Sequence, residues 1–324
     1  MIKVINIEPD NYNHEASAII SSFATVWEEK VSRKRLLELL PDYDVLIVRL
    51  AHKIDREVIN SGRILKAIVT ATTGLDHIDI EETEKRGIAV LSLKGETDFL
   101  QNITATAELT WGLLLSLIRR IPYAFNDVLH NNWRRDNFIG KELKGKILGI
   151  IGYGRLGRIV ASYAKAFQMS VYAYTYNRRD SENDGVEWKD LEELLTVSDV
   201  ISLHIPFTGE NINFLDSEKL ALLKPGSILI NTSRGELVDE VALLDCLRNG
   251  KIAGAALDVL SGEEHHRIED GSWPEGDPLV EYSKTNSNLL LTPHIGGAST
   301  DSMNATEMFM AKKLRRYLKE RNLI

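Results

Sequence analysis

The stretch "KILGIIGYGRLGRIV" constrains the fold of this chain more than any other. Gly152, Gly154 and Gly157 stand in G-x-G-x-x-G spacing, an apolar run from Ile147 to Ile151 leads in, and a helix-forming run from Arg158 to Phe167 leads out. The first glycine permits a tight turn, the second lets the backbone approach a pyrophosphate, and the third lets helix and strand pack closely. The N–H groups of Arg155 and Leu156 at the helix start, aided by the helix dipole, would hold the anion. A ligand-free glycine turn is the bland alternative, and the flanking strand and helix weigh against it.

The same strand-then-helix step recurs along the chain. "KVINI", "DVLIVRL", "LKAIVTAT" and "IAVLSL" read as buried parallel strands, with helical segments such as "SRKRLLELL" and "DREVIN" between them, the latter ending at Ser61-Gly62. A long amphipathic helix is expected from about Ile103 to His130, with Trp111, Leu114, Leu115 and Ile118 on one face. A second series follows: "KILGIIG", "SVYAYTY", "DVISLHI", "SILINTS", "IAGAALDV" and "NLLLTPH". The expected class is α/β, with open parallel sheets covered by helices on both faces. One domain is expected over 103–296, and a smaller one from 1–102 plus the last helix, 297–324.

Composition narrows the function classes. Apolar residues are 44% and charged residues 27%, the balance of a soluble globular protein. Lys and Arg number 39 against 47 Asp and Glu, a net charge of −8 that argues against wholesale nucleic-acid binding. Cys246 is the only cysteine, so no internal disulfide forms and a reducing cytoplasm is the simplest home. "MIKVINIE" lacks a secretory signal pattern, and "ELTWGLLLSLI" is too short and interrupted to cross a bilayer. His265 and His266 are adjacent and diverge in most backbones, so no metal is expected there.

About 20 residues past a dinucleotide-binding turn, a carboxylate normally takes the ribose hydroxyls and repels a 2′-phosphate. Thr175 stands in that place, followed by Arg178 and Arg179. A neutral hydroxyl near two guanidinium groups suits the 2′-phosphate of NADP(H) better than bare hydroxyls. The alternative is that these arginines form a solvated loop and NAD binds through other contacts.

Three further strands deliver chemistry. "LINTSRGELVDEVALLDCL" puts Arg234 at a strand's C-terminal end, "AGAALDVLSGEE" does so for Asp258 and, five residues on, Glu263, and "LLLTPHIGG" does so for His294. That edge is where ligands lie in open α/β sheets. A lone histidine there is more often structural than catalytic, but a cation and a carboxylate beside a dinucleotide turn make catalysis the better reading.

These segments, with "SDVISLHIPFTGENINFLD", make the chain resemble the D-isomer-specific 2-hydroxyacid dehydrogenases over almost its whole length. The resemblance implies a Rossmann cofactor domain inserted into a smaller flavodoxin-like substrate domain, a cleft between them, and a homodimer. It implies that Arg234 binds the substrate carboxylate and carbonyl, His294 exchanges the proton and Glu263 holds the histidine. Asp258 would contact the nicotinamide amide and His204 and Pro206 would line the adenosine side, with Thr106, Thr232 and Gly296 also on the cofactor's side. Reducing a 2-oxo acid needs a hydride at carbon and a proton at the nascent alkoxide, which a nicotinamide and an imidazolium supply. A carboxylate beside an imidazole fixes its tautomer, and a forked arginine orients a substrate carboxylate. Glu263 as a true acid argues against the formate-oxidising branch, which carries an amide there.

"TATTGLDHIDI" matches the family's substrate loop, where Thr73, Gly74 and Leu75 would offer N–H groups, or form a plain turn. Arg49 of "LIVRLAHKI" matches the arginine that phosphoglycerate dehydrogenases direct at a substrate phosphate, or is a surface charge ending a strand. A small substrate that is phosphorylated or otherwise anionic is expected, and the phosphoglycerate dehydrogenase-like branch is favoured. The chain stops at Ile324, short of the C-terminal regulatory domains of some of those enzymes. Two departures lie at "LSLKGETDFLQNITATAEL", which is long, and after Glu263. There Glu264 replaces a usual proline and 265–276 reads as an inserted loop that would cap the cleft or touch a partner subunit. A corepressor-like dinucleotide sensor on the same scaffold is the alternative function, disfavoured by the lack of a basic patch and of long tails.

Overall fold

Short runs of Val, Ile and Leu become parallel strands because helices cover both faces of each sheet. The computed structural model describes residues 1–176, 185–263 and 272–324, so Arg178, Arg179, Glu264, His265, His266 and most of the 265–276 stretch lie outside the described residues. The chain divides into two units, one holding Met1–Ile103 and Ala298–Ile324, the other Thr104–Glu263 and Pro274–Gly297.

The first unit holds β1 (Ile2–Asn6), β2 (Ala24–Glu28), β3 (Val45–Ile47), β4 (Ala67–Val69) and β5 (Ala89–Leu91). They lie in the order β2-β1-β3-β4-β5 with every pair parallel, the flavodoxin-like order. Alternate residues face opposite sides. Val4, Val45, Ile47 and Ala67 pack with Met310, Leu314 and Leu318 of the helix Thr300–Glu320, while Ile5, Leu46 and Ile68 pack with Leu36, Val58 and Ile59. Leu314 is fully buried, and burial of such a side chain contributes about 2 kcal/mol. The last helix therefore completes the first sheet's core. Strand β2, absent from the sequence reading, is an edge strand whose Trp27 and Glu28 face solvent, so it lacks the continuous apolar run of its neighbours.

The second unit holds β6 (Ile147–Ile151), β7 (Ser170–Tyr174), β8 (Glu187–Trp188), β9 (Val200–Leu203), β10 (Ile228–Asn231), β11 (Gly254–Leu257) and β12 (Leu289–Leu291). Their order is β12-β11-β10-β9-β6-β7-β8, again parallel throughout. The order reverses between β6 and β9, which is the switch point of a Rossmann sheet. Leu148, Ile150 and Ile230 face Trp111 and Leu114, whereas Ile151, Ile201 and Leu229 face Leu194, Leu220 and Leu243.

One expected element is corrected. The long helix over 103–130 is two helices, Ala105–Ile118 and Ile121–Leu129. Arg120 takes a left-handed φ of 55°, and Pro122 stands in the first turn of the second helix. Pro122 has no N–H to donate to Ile118 O, which accepts Lys141 N at 3.2 Å instead, and proline is tolerated in a helix's first turn, so the chain breaks and restarts.

Candidate active site

The glycine turn lies at the switch point of the second sheet. Gly152 has φ +98°, and a Cβ there would sit 2.6 Å from the carbonyl of His204, which follows β9. Its N–H donates to Tyr174 O at 2.8 Å, placing Thr175 directly beside the turn. A Cβ on Gly157 would lie 2.3 Å from Gly152 O, whereas one on Gly154 would meet nothing within 4 Å. Gly154 is also the N-cap of the helix Arg155–Ala166, and no side chain caps that end. The turn is thus packed where helix meets strand and open where an anion would approach, so these residues fit a dinucleotide pyrophosphate. Burial pulls the Arg155 guanidinium below its ordinary range, a cost that a nearby anion would relieve. His204 shares a 2.8 Å hydrogen bond between Nε2 and Ser202 Oγ. Burial lowers its pKa to about 4, so the ring is neutral, and its buried Nδ1 has no partner among the described residues.

Arg234 follows β10, and Asn231 shapes its turn. The Asn231 amide accepts from Ser233 N at 3.0 Å and donates to Arg234 O at 2.7 Å. One guanidinium nitrogen of Arg234 donates to Ser233 O at 2.7 Å. The next residue, Gly235, lies directly on the backbone after β11, since a Cβ on it would be 2.0 Å from Leu260 C and 2.1 Å from Ser261 N. That loop is stapled by three carboxylates on three successive amides. Leu260 N donates to Glu263 Oε1 at 2.9 Å, Ser261 N to Glu240 Oε1 at 2.6 Å, and Gly262 N to Glu236 Oε1 at 2.9 Å.

The second oxygen of Glu263, Oε2, lies 2.7 Å from His294 Nδ1, and each side chain is 18% exposed. His294 has φ +54°, a left-handed conformation costing roughly 1–2 kcal/mol for a residue with a Cβ. Asp258 holds that turn in place. Its carbonyl accepts His294 N at 2.8 Å, its Oδ1 accepts Thr292 Oγ1 at 2.6 Å and Ile295 N at 2.9 Å, and its Oδ2 accepts Gly296 N at 2.7 Å. Burial raises the Asp258 carboxyl above its ordinary value, against those hydrogen bonds. Backbone strain at a side chain held this firmly is a mark of functional sites.

Thr232 Oγ1 lies 3.0 Å from Thr110 Oγ1, which donates to Thr106 O at 2.8 Å. A Cβ on Gly296 would stand 3.2 Å from Thr106 Cγ2 and 3.0 Å from Asp258 Oδ2. Thr106, Thr232, Asp258 and Gly296 therefore gather beside His294. Pro206 is exposed, and its carbonyl accepts Asn211 Nδ2 at 2.9 Å. In the first unit, Thr72 Oγ1 donates to Gly74 O at 2.7 Å and shapes the loop Thr73, Gly74 and Leu75, whose N–H groups have no acceptor among the described residues. Arg49 turns its guanidinium onto its own unit, donating to Glu8 O at 3.0 Å and Asp10 O at 2.8 Å. No group of His, Cys, Asp and Glu suited to a metal ion occurs among the described residues, and no helix there is long and apolar enough to cross a membrane.

The family described as "D-isomer specific 2-hydroxyacid dehydrogenase, NAD binding domain" matches residues 111–296. The chain is 38% identical to a glyoxylate reductase of Thermococcus litoralis over 91% of its own length and 87% of the relative's. The chain belongs to the D-isomer specific 2-hydroxyacid dehydrogenases. A D-3-phosphoglycerate dehydrogenase of Methanocaldococcus jannaschii is 35% identical over 98% of this chain, which spans 58% of that protein. Among solved structures, the D-lactate dehydrogenase from Aquifex aeolicus complexed with NAD and lactic acid superposes with TM-score 0.85 at 28% identity, covering 98% of this chain and 96% of that one. The chain is accordingly an oxidoreductase acting on the CH–OH group of 2-hydroxy acids with a nicotinamide dinucleotide. Nothing in these findings supports the corepressor reading.

Glu236 and Glu240 escaped the sequence reading of this dehydrogenase site. Glu240 opens the helix Glu240–Arg248 behind its N-cap Asp239, where acids ordinarily just complement the helix dipole. Burial pushes the Glu240 carboxyl up to about 7 from 4.5, Asp277, Glu236 and Glu263 add to the rise, and the Ser261 N–H opposes it. A carboxyl raised on folding stabilises fully below its unfolded value, and that contribution is lost as pH climbs through the folded one. Glu240→Gln keeps an acceptor for Ser261 N and removes the titration. The variant is expected to gain on wild type in Tm as pH rises from 5 to 8, as differential scanning fluorimetry would show. A Tm difference independent of pH would contradict this assignment.

Proposed function

We propose that the protein interconverts a short 2-oxo acid and its D-2-hydroxy acid, with His294 as proton carrier, Glu263 as its holding partner and Arg234 as the substrate's cation. The observation that carries this reading is the 2.7 Å bond from His294 Nδ1 to Glu263, on a loop packed against Gly235, the residue after Arg234. A carboxylate only accepts, so Nδ1 bears a proton and Nε2 is left to face the substrate oxygen. In the reducing direction Nε2 gives its proton to the alkoxide forming at C2, and in oxidation it takes that proton back. Arg234 supplies a forked donor set that pairs with the substrate carboxylate and steadies charge on the C2 oxygen. A bound nicotinamide supplies the hydride to C2 or accepts it from there. Asp258, Thr106, Thr232 and Gly296 are assigned to the cofactor side, and within the first unit the amides of Thr73, Gly74 and Leu75 are assigned to binding an anion.

The neutral Thr175 beside the glycine turn places no charge against a 2′-phosphate, which supports NADP(H) as a cofactor alongside NAD(H). Titrating both reduced dinucleotides by fluorescence tests this, and much tighter binding of NADH would overturn it. Absorbance of NADH and NADPH with glyoxylate, hydroxypyruvate and pyruvate tests the activity. Turnover of at least one acid is expected, and tight dinucleotide binding with no oxidation across the panel would overturn the reading. Ile121, Phe125, Leu129 and Trp133 are all exposed along one segment, a patch that supports a homodimer. A monomer in sedimentation equilibrium would dispose of that. The single cysteine, Cys246, suits a reducing cytoplasm.

A further inference from the structure

The segment that carries Arg234 also carries two acids, Glu236 and Glu240, whose side chains bond away from their own helical turns. Glu240 opens the helix Glu240–Arg248, but Asp239 already caps that end by accepting Ala242 N at 3.0 Å. Glu236 lies in the single turn Gly235–Leu237. Both carboxylates cross to the loop after β11, where Ser261 N donates to Glu240 at 2.6 Å and Gly262 N to Glu236 at 2.9 Å. The amide before those two, Leu260 N, donates to Glu263 Oε1 at 2.9 Å. Gly262 takes φ +73°, a left-handed turn that folds Glu263 back onto its own loop. Glu263 therefore has one oxygen on the loop and the other on His294 Nδ1 at 2.7 Å. Any shift of the loop turns the imidazole with it.

Contact between Gly235 and the backbone of Leu260 and Ser261 sets how closely the two segments approach, and the two crossing acids hold them at that distance. Satisfying two loop amides does not by itself call for acids, since a neutral acceptor would serve. Burial raises the Glu240 carboxyl to about 7, and repulsion from Asp277, Glu236 and Glu263 adds to the rise, so the arrangement lowers stability near neutral pH. In return, hydrogen bonds to ionised acceptors are shorter and stronger than neutral ones. Reacting groups have to stay within about 0.5 Å of their working geometry, which takes supporting bonds of this kind.

We propose that Glu236 and Glu240 are positioning residues that lock the Arg234 segment to the Glu263 loop and so set the spacing between the substrate's cation and its proton carrier. This rests on the dehydrogenase reading above and deepens it. The experiment measures kcat for a 2-oxo acid and the dissociation constant of the reduced dinucleotide in Glu236→Ala, Glu240→Ala, the double variant and the glutamine counterparts. Each alanine is expected to lower kcat about tenfold and the pair about 100-fold, with dinucleotide affinity within about twofold of wild type. Glutamine keeps an oxygen acceptor of the same reach and is expected to hold kcat within about threefold of wild type. In a His294→Gln background either alanine is expected to change the residual kcat by less than about twofold, because the group being positioned is gone. An equal loss in both backgrounds, alanine variants that turn over like wild type, or glutamine variants no better than alanine overturn the proposal. If wild type reduces no 2-oxo acid, the dehydrogenase reading fails on its own, and proton NMR decides the positioning. The downfield resonance of the proton on His294 Nδ1, identified by its absence in His294→Gln, is expected to persist in the glutamine variants and to be lost in the alanine variants. Its persistence in the alanine variants overturns the proposal. Glu236→Asp and Glu240→Asp, one methylene short of the loop, must reproduce the alanine effects if an alanine variant does not fold.

Discussion

Glutamine at position 294 is expected to lower kcat by about 1,000-fold while leaving the dissociation constant for the reduced dinucleotide within about twofold of wild type. The expectation follows from what the imidazole does that an amide cannot. Nδ1 is fixed on Glu263 at 2.7 Å, so the ring is oriented and its other nitrogen can cycle a proton. A glutamine amide can still donate to Glu263 and fill much of the same space, but it carries no exchangeable charge near neutral pH. The glycine turn that fits the pyrophosphate is built from Gly152, Gly154 and Gly157, none of which bonds to His294, so cofactor binding has no reason to change. Steady-state assays with a 2-oxo acid, paired with fluorescence titration of the dinucleotide, separate the two effects. Turnover near the wild-type rate would remove His294 from the proton path, and a parallel loss of dinucleotide affinity would give it a structural role.

Which parts of this molecule are legible from one sequence follows from how local each cause is. Strands buried on both faces announce themselves as apolar runs, and β10, β11 and β12 are neighbours in the sheet, so the residues after them, Arg234, Asp258 with Glu263, and His294, arrive at one edge together. Edge strand β2 and the two-residue β8 carry no such run. The break at Arg120 was signalled by Pro122 but masked by continuous apolar periodicity on both sides. The supporting acids were invisible for another reason. Glu240 meets Ser261 across 21 positions, Glu236 meets Gly262 across 26, and Glu8 meets Arg49 across 41. An acid after a strand or at a helix start reads as an ordinary surface charge until the partner amide is known. Arg49 shows the same limit, because residue type and position leave a phosphate ligand and a surface charge equally open while its direction depends on Glu8, Asp10 and Glu307.

Alanine in place of Gly235 is expected to cost about 3 kcal/mol of stability and about 100-fold in kcat. The added Cβ would lie 2.0 Å from Leu260 C, 2.1 Å from Ser261 N and 2.4 Å from Leu260 O. All three are main-chain atoms, so no side-chain rotation relieves the overlap. Gly235 does not have a positive φ, so an alanine there is not strained by its own conformation and the penalty comes from contact alone. The loop must retreat, and with it go the bonds of Leu260 N to Glu263, Ser261 N to Glu240 and Gly262 N to Glu236. Glu263 then loses its hold on His294 although neither residue has been changed. Gly154→Ala is the control, since nothing lies within 4 Å of its Cβ and the stability change should stay within about 1 kcal/mol. Urea denaturation followed by fluorescence gives the stability of both variants, and kcat at saturating cofactor gives the chemistry. If Gly235→Ala melts like wild type and turns over at its rate, the arginine turn and the glutamate loop are not mechanically joined, and the site's geometry must be held by Asp258 and the 292–296 turn alone.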